Sequence, residues 1–482
     1  MTATRSTPMN QTTLEQPTTN ESALPLPSWR SVIALSLPAL GQQGLAFVVL
    51  ISDRYLAGHL PVTDHATVQA AQTTAHYLAW FITCYGVLVT VGSTALVARC
   101  IGGGERRLAV EVTHQALLLG VALGLVASAW AFLGGVRWMV ATLNLEGAAA
   151  NYAADYALTL FGSLIFQMIE VAGIACLVGA GDTRTGMWVM VGVAILNVPL
   201  AWGFGRGYWP LPEWGFVGIA VGTACSHALG GLAVLGVLLR GRFGLKLEAR
   251  LFRPRPDLLY RLLRISVPSG VDSLSVVAGQ FWFLAIVNRF GEAAGAAHGL
   301  ALVWEALGYL SGAAFGTAAM SLVGQNLGAK RPHEAAKAGW MAFALGCTVM
   351  SLMGLTFYTL APQMFGLFTI EQPIIDVGVP VLRLVAFAMP PLASAIVFTY
   401  ALRGAGDTRV PVLFTWIGFF VVRIPLAYFL ALDEFSLVPF GTVTGLGMGL
   451  YGCWLAMSAD LVIRGVFFMA RFIHGAWQRQ KV

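Results

Sequence analysis

Long apolar stretches, separated by short polar, basic or glycine-rich breaks, run through this chain from about residue 30 to residue 473. Twelve are legible, at about 30–57, 66–101, 108–138, 148–178, 184–207, 214–240, 258–288, 292–327, 333–364, 374–403, 409–432 and 446–473. Each covers the roughly 20 residues that a helix needs to cross a bilayer. A spanning backbone must satisfy its own hydrogen bonds, so it is a helix or a closed-barrel strand, and runs of this length exclude the strand. The breaks hold the chain's punctuation, as in Gly102-Gly103-Gly104-Glu105-Arg106-Arg107 and Lys330-Arg331-Pro332-His333-Glu334.

The stretches fall into two equivalent sets of six. Gly179-Ala180-Gly181-Asp182-Thr183-Arg184 recurs letter for letter as Gly404-Ala405-Gly406-Asp407-Thr408-Arg409. Pro199-Leu200-Ala201 recurs as Pro425-Leu426-Ala427, Pro38 matches Pro268, and Gly215 with Gly218 matches Gly449 with Gly452. The offset changes only between spans, where connections can differ in length. Equivalent points lie six spans apart, an even number, so both copies run in the same direction across the membrane. The fold class expected is an all-α integral membrane protein, with twelve transmembrane helices in two six-helix bundles related by a parallel internal repeat. Its parts are a disordered cytosolic tail (1–29), an N-terminal lobe (30–240), a cytosolic linker (241–257), a C-terminal lobe (258–473) and a second cytosolic tail (474–482).

Composition agrees. Of 482 residues, 57% are hydrophobic and 11% charged, against about 25% charged in soluble domains. The net charge of +6 does not mark a nucleic-acid surface, because the basic residues sit in short clusters between apolar runs. With both termini inside, most basic residues fall in the inner connections and tails, Arg403 among them, as the positive-inside rule requires for an inner (plasma) membrane protein. Arg383, Arg423 and Arg464 fall inside spans. The first 29 residues lack an apolar run ahead of a small-residue cleavage site and do not read as a signal peptide.

Chemistry by clustered ligands is not visible. The six cysteines lie in apolar runs with no CxxC pair, and the eight histidines are scattered singly, so neither a metal centre nor an enzyme is expected. The repeated Gly-Ala-Gly-Asp-Thr-Arg segments follow no strand and carry no P-loop lysine. They read as tight turns in which glycine ends one helix and Asp-Thr caps the next. Two similar bundles in one membrane favour a carrier working by alternating access over a channel, which more often gathers identical subunits around a pore.

The residues resemble the multidrug and toxic compound extrusion (MATE) family, in its NorM-like bacterial form. The resemblance rests on Ser36-Leu37-Pro38 and Ser52-Asp53 in span one and on Leu196-Asn197-Val198-Pro199-Leu200 in span five. It rests also on Gly324-Gln325-Asn326-Leu327-Gly328-Ala329 closing span eight and on Leu402–Pro411 between spans ten and eleven. It covers about residues 30–475. It implies H⁺- or Na⁺-coupled antiport of small organic, often cationic and amphipathic, compounds by a monomer without cofactor or nucleic acid, touched otherwise only by membrane lipid. Within the superfamily the alternative is a flippase for lipid-linked precursors, and outside it a membrane scaffold or embedded enzyme.

Charge inside a span costs roughly 2.5 kcal/mol or more at the centre, so intramembrane charges are the functional candidates. Asp53 lies fifteen residues after Pro38, and the equivalent point after Pro268 is Phe283. The resemblance places an essential acid at Asp53. Asn197 stands two residues before Pro199, which frees helix carbonyls; the second copy has Arg423 there. Asp53, Asn197 and Glu170 are the candidates for coupling-cation binding, with Asp53 and Asn197 as metal ligands if the ion is Na⁺. An acid that some relatives carry four residues after the Asn is Ala201 here. Asp272 and Glu305, with Gln42, Gln72 and Trp304, are the candidates for a substrate cavity. The alternative for Asp272 and Glu305 is a buried pair with Arg423 or Arg383. The acids that the NorM-like branch has in spans seven and ten are missing at Val276 and Leu392-Ala393-Ser394.

Overall fold

A computed structural model describes residues 25–60, 65–143, 145–208, 210–437 and 441–480. Most of the expected N-terminal tail, and the last two residues, lie outside them. Twelve helical spans follow in order. In the first lobe these are α1 (Trp29–Gly58), α2 (His65–Gly102), α3 (Arg106–Thr142), α4 (Gly147–Gly162 and Leu164–Gly179), α5 (Thr183–Arg206) and α6 (Gly215–Arg240). In the second they are α7 (Pro256–Val287), α8 (Glu292–Gly328), α9 (Pro332–Gly366), α10 (Gln372–Gly404), α11 (Arg409–Ala431) and α12 (Gly449–His474). The expected twelve spans are all present. Span four bends by 53° at Ser163. A short hairpin, β1 (Glu434–Leu437) with β2 (Gly441–Thr444), lies between α11 and α12.

Local chemistry sets the helix ends. Ser28 and Ser31 form a reciprocal capping box at the start of α1, which satisfies two otherwise orphaned N–H groups. Proline opens α7 and α9, where its missing N–H costs nothing. The repeated turn behaves as expected in its first copy. Gly181 takes φ +91°, and Asp182 caps α5 by accepting from the Thr185 amide at 3.0 Å. In the second copy Gly406 takes φ +84°, but Asp407 caps nothing. Its carboxylate accepts from Arg471 of α12 at 2.8 Å, much as Asp182 also accepts from Arg242, just past α6, at 2.9 Å. Each aspartate therefore ties its turn to the end of its lobe's sixth helix.

Small residues let α5 and α6 approach closely, as spanning helices do where packing replaces the hydrophobic drive. A Cβ at Gly218 would fall 2.3 Å from the Phe204 carbonyl oxygen, and one at Gly222 would fall 2.4 Å from the Ala201 Cα. The second copy repeats the contact, with Gly452 against the Leu430 carbonyl at 2.6 Å. This explains why Gly218 recurs as Gly452.

The lobes share their first helices, the first half of each lying in the other lobe's core while the far half stays in its own. Val32 and Leu35 of α1 are buried in the second lobe's core with Phe315, Ala318 and Leu322. Their repeat equivalents in α7, Leu262 and Ile265, are buried in the first lobe's core with Val89 and Leu96. At the same end, the one carrying the arginine-rich connections and called here the basic end, the lobes clasp each other reciprocally. Gln325 of α8 donates to the Gly179 carbonyl of the first turn at 2.9 Å. Its repeat equivalent, Arg99 of α2, donates to the Ala405 carbonyl of the second turn at 3.0 Å. Gly102 and Gly328, also repeat equivalents, let the two helices touch. A Cβ on either would fall 1.8 Å from the Gln325 oxygen or 2.1 Å from the Arg99 oxygen, respectively.

Candidate functional site

The close α5–α6 packing sets Asn197 beside Thr223, one turn from the Ala201–Gly222 contact. Asn197 Nδ2 donates to Thr223 Oγ1 at 2.9 Å, and Thr223 Oγ1 donates to Asp53 Oδ2 at 2.8 Å. Asp53 and Asn197 are buried. One turn further along α6, His227 Nδ1 lies 2.9 Å from Glu170 Oε2. The three residues expected to handle the coupling cation therefore converge, each from a different helix, on one face of α6. Two oxygens there, Asp53 Oδ1 and Asn197 Oδ1, are buried with no hydrogen-bond partner among the described residues. Such oxygens are rare in a packed interior and costly unless a proton or cation meets them.

The sequence reading did not find Thr223 or His227. His227 is not isolated, as its sequence position suggested: Glu170 is its partner. The available signal was the i, i+4 spacing of Thr223 and His227 on an otherwise apolar span. Ala201 is fully buried under Gly222, so no further carboxylate stands where some relatives have one. Gln72 is buried beside Tyr156, which in turn faces Asp53. That places Gln72 at the edge of the Asp53 network. Gln42 packs inside the first lobe, its Oε1 against Gly186 of α5.

The second lobe is built differently at the equivalent place. Phe283 stands for Asp53, Arg423 for Asn197, Met457 for Thr223, Leu461 for His227 and Ala395 for Glu170. The Arg423 guanidinium lies over the Phe419 ring at 4.1 Å and near that of Phe283 at 5.7 Å. It is held by Asp460, with Nη2 2.6 Å from Oδ2. Arg464, one turn beyond Asp460 on α12, completes the triad through Nε to Oδ1 at 2.6 Å and Nη2 to Oδ2 at 2.7 Å. Removing the shared partner of such a triad leaves buried charge uncompensated. Asp460→Asn is expected to destabilise the protein by about 3–5 kcal/mol, read as a lowered unfolding midpoint of the purified carrier. An unchanged midpoint would show that the two arginines stand without it.

Two expectations about charge are corrected here. Arg403 is not a connection residue: it occupies the last turn of α10, nine-tenths buried, and donates to Asp272 Oδ2 at 2.7 Å. Asp272 therefore pairs with Arg403, not with Arg423 or Arg383. Arg383 lies within α10 as expected, with its side chain exposed and its guanidinium toward the Tyr358 ring. Glu305, by contrast, is partly exposed within α8 and lies in charge range of Arg423 and Arg464. Trp304 sets its ring edge-on to Phe368 at 5.5 Å, and its indole N–H has no hydrogen-bond partner among the described residues.

Comparison with known proteins bears on this architecture. The MatE family model matches residues 38–202 and again 268–429, the two stretches that the internal repeat equates. A probable multidrug resistance protein NorM of Thermotoga maritima is 26% identical over 457 residues, covering 94% of each chain. An uncharacterized transporter YisQ of Bacillus subtilis is 24% identical, covering 81% of this chain and 83% of its own. Among solved structures, a MOP superfamily transporter from Pyrococcus furiosus superposes with a TM-score of 0.84 at 20% identity, over 94% of this chain and 97% of that one. A multidrug resistance MATE family transporter in an outward-facing conformation gives 0.82 at 20% identity, over 93% and 96%. The likeness to the solved structures concerns the fold. With the model matched twice, in register with the duplication and across more than half of its length, the chain belongs to the MatE family of membrane transporters.

Proposed function

We propose that the protein is a proton-coupled antiporter that exports small organic cations and amphipathic drugs, with its basic end and both termini in the cytosol of a bacterial inner (plasma) membrane. The observation that carries the coupling is the pair of buried oxygens on Asp53 and Asn197 that have no partner among the described residues. A proton needs one carboxylate oxygen. A bare metal cation needs a shell of about six or more, and here Glu170, the other carboxylate on this face of α6, is engaged by His227. Proton binding at Asp53 would favour one arrangement of the lobes over the other, and a ligand shifts such an equilibrium only by its differential affinity for the two states.

Support for a cationic substrate comes from the second lobe. Asp272 is taken by Arg403, which leaves Glu305, with Trp304 beside it, as the carboxylate to meet a cation. The lipid-linked-precursor flippase, which would present a basic cavity, is disfavoured because Arg403, Arg423 and Arg464 are each already ion-paired, to Asp272 or to Asp460.

Purified carrier in liposomes, loaded with ethidium, tests the proposal. An imposed pH gradient is expected to drive ethidium transport, and a Na⁺ gradient at uniform pH is not. Transport driven by Na⁺ alone would overturn proton coupling. Movement of a lipid-linked precursor with no ethidium transport would establish the flippase instead.

A further inference from the structure

Between α5 and α6, in the half nearer the basic end, lies a groove of about 580 Å³, within the range of ligand-sized sites. It opens on the outer surface of the bundle: Trp188, Leu196 and Leu229 at its rim are 66%, 38% and 47% exposed. Its floor is Val193 and Gly230, both buried. Inside a spanning segment, such a surface faces hydrocarbon, so whatever fills the groove along its length is apolar.

One end of the groove is not apolar. Arg240 and Arg242 line it there, and the Lys246 side chain packs across Gly241 between them. The carboxylate at this end, Asp182, accepts from Arg242 Nε at 2.9 Å and from the Thr185 amide and hydroxyl. Its single charge is set against three cations. The Arg242 side chain remains half exposed. Beside it Phe243, 53% exposed and at φ +50°, sets an apolar ring 5.5 Å from that guanidinium. A cation and an exposed ring side by side mark the depth of the lipid headgroups.

We infer that this groove binds one glycerophospholipid with an anionic headgroup, its phosphate held by Arg240, Arg242 and Lys246 and one acyl chain lying over Gly230 between α5 and α6. Charge complementarity selects this occupant. A neutral lipid leaves the three cations unanswered, and a soluble phosphate leaves the apolar length empty. The site has a bearing on the coupling network whichever ion drives the carrier. A Cβ at Gly230 would fall 3.1 Å from the Glu170 carboxyl group, so a chain seated on Gly230 covers the bilayer side of the Glu170–His227 pair.

Trp188 supplies the readout. The full-length carrier in nanodiscs of phosphatidylcholine is titrated with phosphatidylglycerol or further phosphatidylcholine bearing brominated chains. The quenching of Trp188 is isolated by subtracting the Trp188→Phe protein. Brominated phosphatidylglycerol is expected to quench at much lower mole fraction. Arg240→Gln and Lys246→Gln, which leave the Arg242–Asp182 pair intact, are each expected to weaken that preference about fivefold, the worth of one basic residue at a lipid surface. Gly192→Leu places a side chain in open space within the groove and is expected to abolish the preference with every charge retained. Equal quenching by the two lipids, or selectivity unmoved by Arg240→Gln and Lys246→Gln, would overturn the site. Persistence of the preference in Gly192→Leu would reduce it to diffuse attraction at the surface. Displacement of the lipid by millimolar glycerol phosphate would assign the cations to a soluble phosphate and overturn the lipid as occupant.

Discussion

Asp53→Asn is expected to fold, insert and bind substrate, and to transport it no faster than empty liposomes do. The substitution keeps shape and the hydrogen bond from Thr223, but it removes the only acid in the Asn197–Thr223–Asp53 chain. Without a group that exchanges a proton, the two arrangements of the lobes have no differential affinity for the driving ion, and the gradient cannot bias them. Two measurements separate this from misfolding: equilibrium ethidium binding, expected to survive, and ethidium transport under a pH gradient, expected to vanish. Transport at the wild-type rate by a stably inserted Asp53→Asn protein would sink the proton-coupling proposal.

Gly102→Ala is expected to have an effect of similar size for a different reason. Its added methyl would lie 1.8 Å from the Gln325 carbonyl oxygen, and Gly328→Ala would set one 2.1 Å from that of Arg99. Both clashes are with backbone of the other lobe, which cannot swing aside as a flexible side chain would. Packing within each lobe is untouched, so the variants should remain folded but unable to close at the basic end. Distances between spin labels on α2 and α8 near that end should lengthen, and transport should fall to a small fraction of wild type. A closed basic end and normal transport in the Gly102→Ala, Gly328→Ala double variant would show that the clasp yields.

Much of this was legible in the sequence, for identifiable reasons. Apolar run length fixes a spanning helix almost alone, so the twelve spans were readable, although the bend at Ser163 was not. The hexapeptide repeat announced the duplication but not its use. Its carbonyls accept from Gln325 and Arg99, residues 146 and 306 positions away, and separations of that order carry no local signature. Asp53, Glu170 and Asn197 stood out because polar groups inside a span are costly. Thr223 did not, since its hydroxyl can satisfy itself on the preceding turn, and His227 looked solitary until the fold brought Glu170 to it. Arg403 was misplaced because it adjoins the Gly404 turn, where arginines usually mark a connection. Burial against Asp272 is a tertiary fact.

The two copies of the lobe have taken different parts. Where the first holds Asp53 and Asn197 with open oxygens, the second holds the guanidinium of Arg423, buried and bonded to Asp460. In effect the second lobe carries a cation that never leaves: it is wired in the loaded state, while under the coupling proposed above the first is the one that loads and empties. Two live sites would have to fire in step, and a missed beat in either would let ions slip across without cargo. If Asp53 carries the coupling as proposed, one site is live and its twin soldered shut, so the first lobe would keep time and the second would be the frame against which it moves.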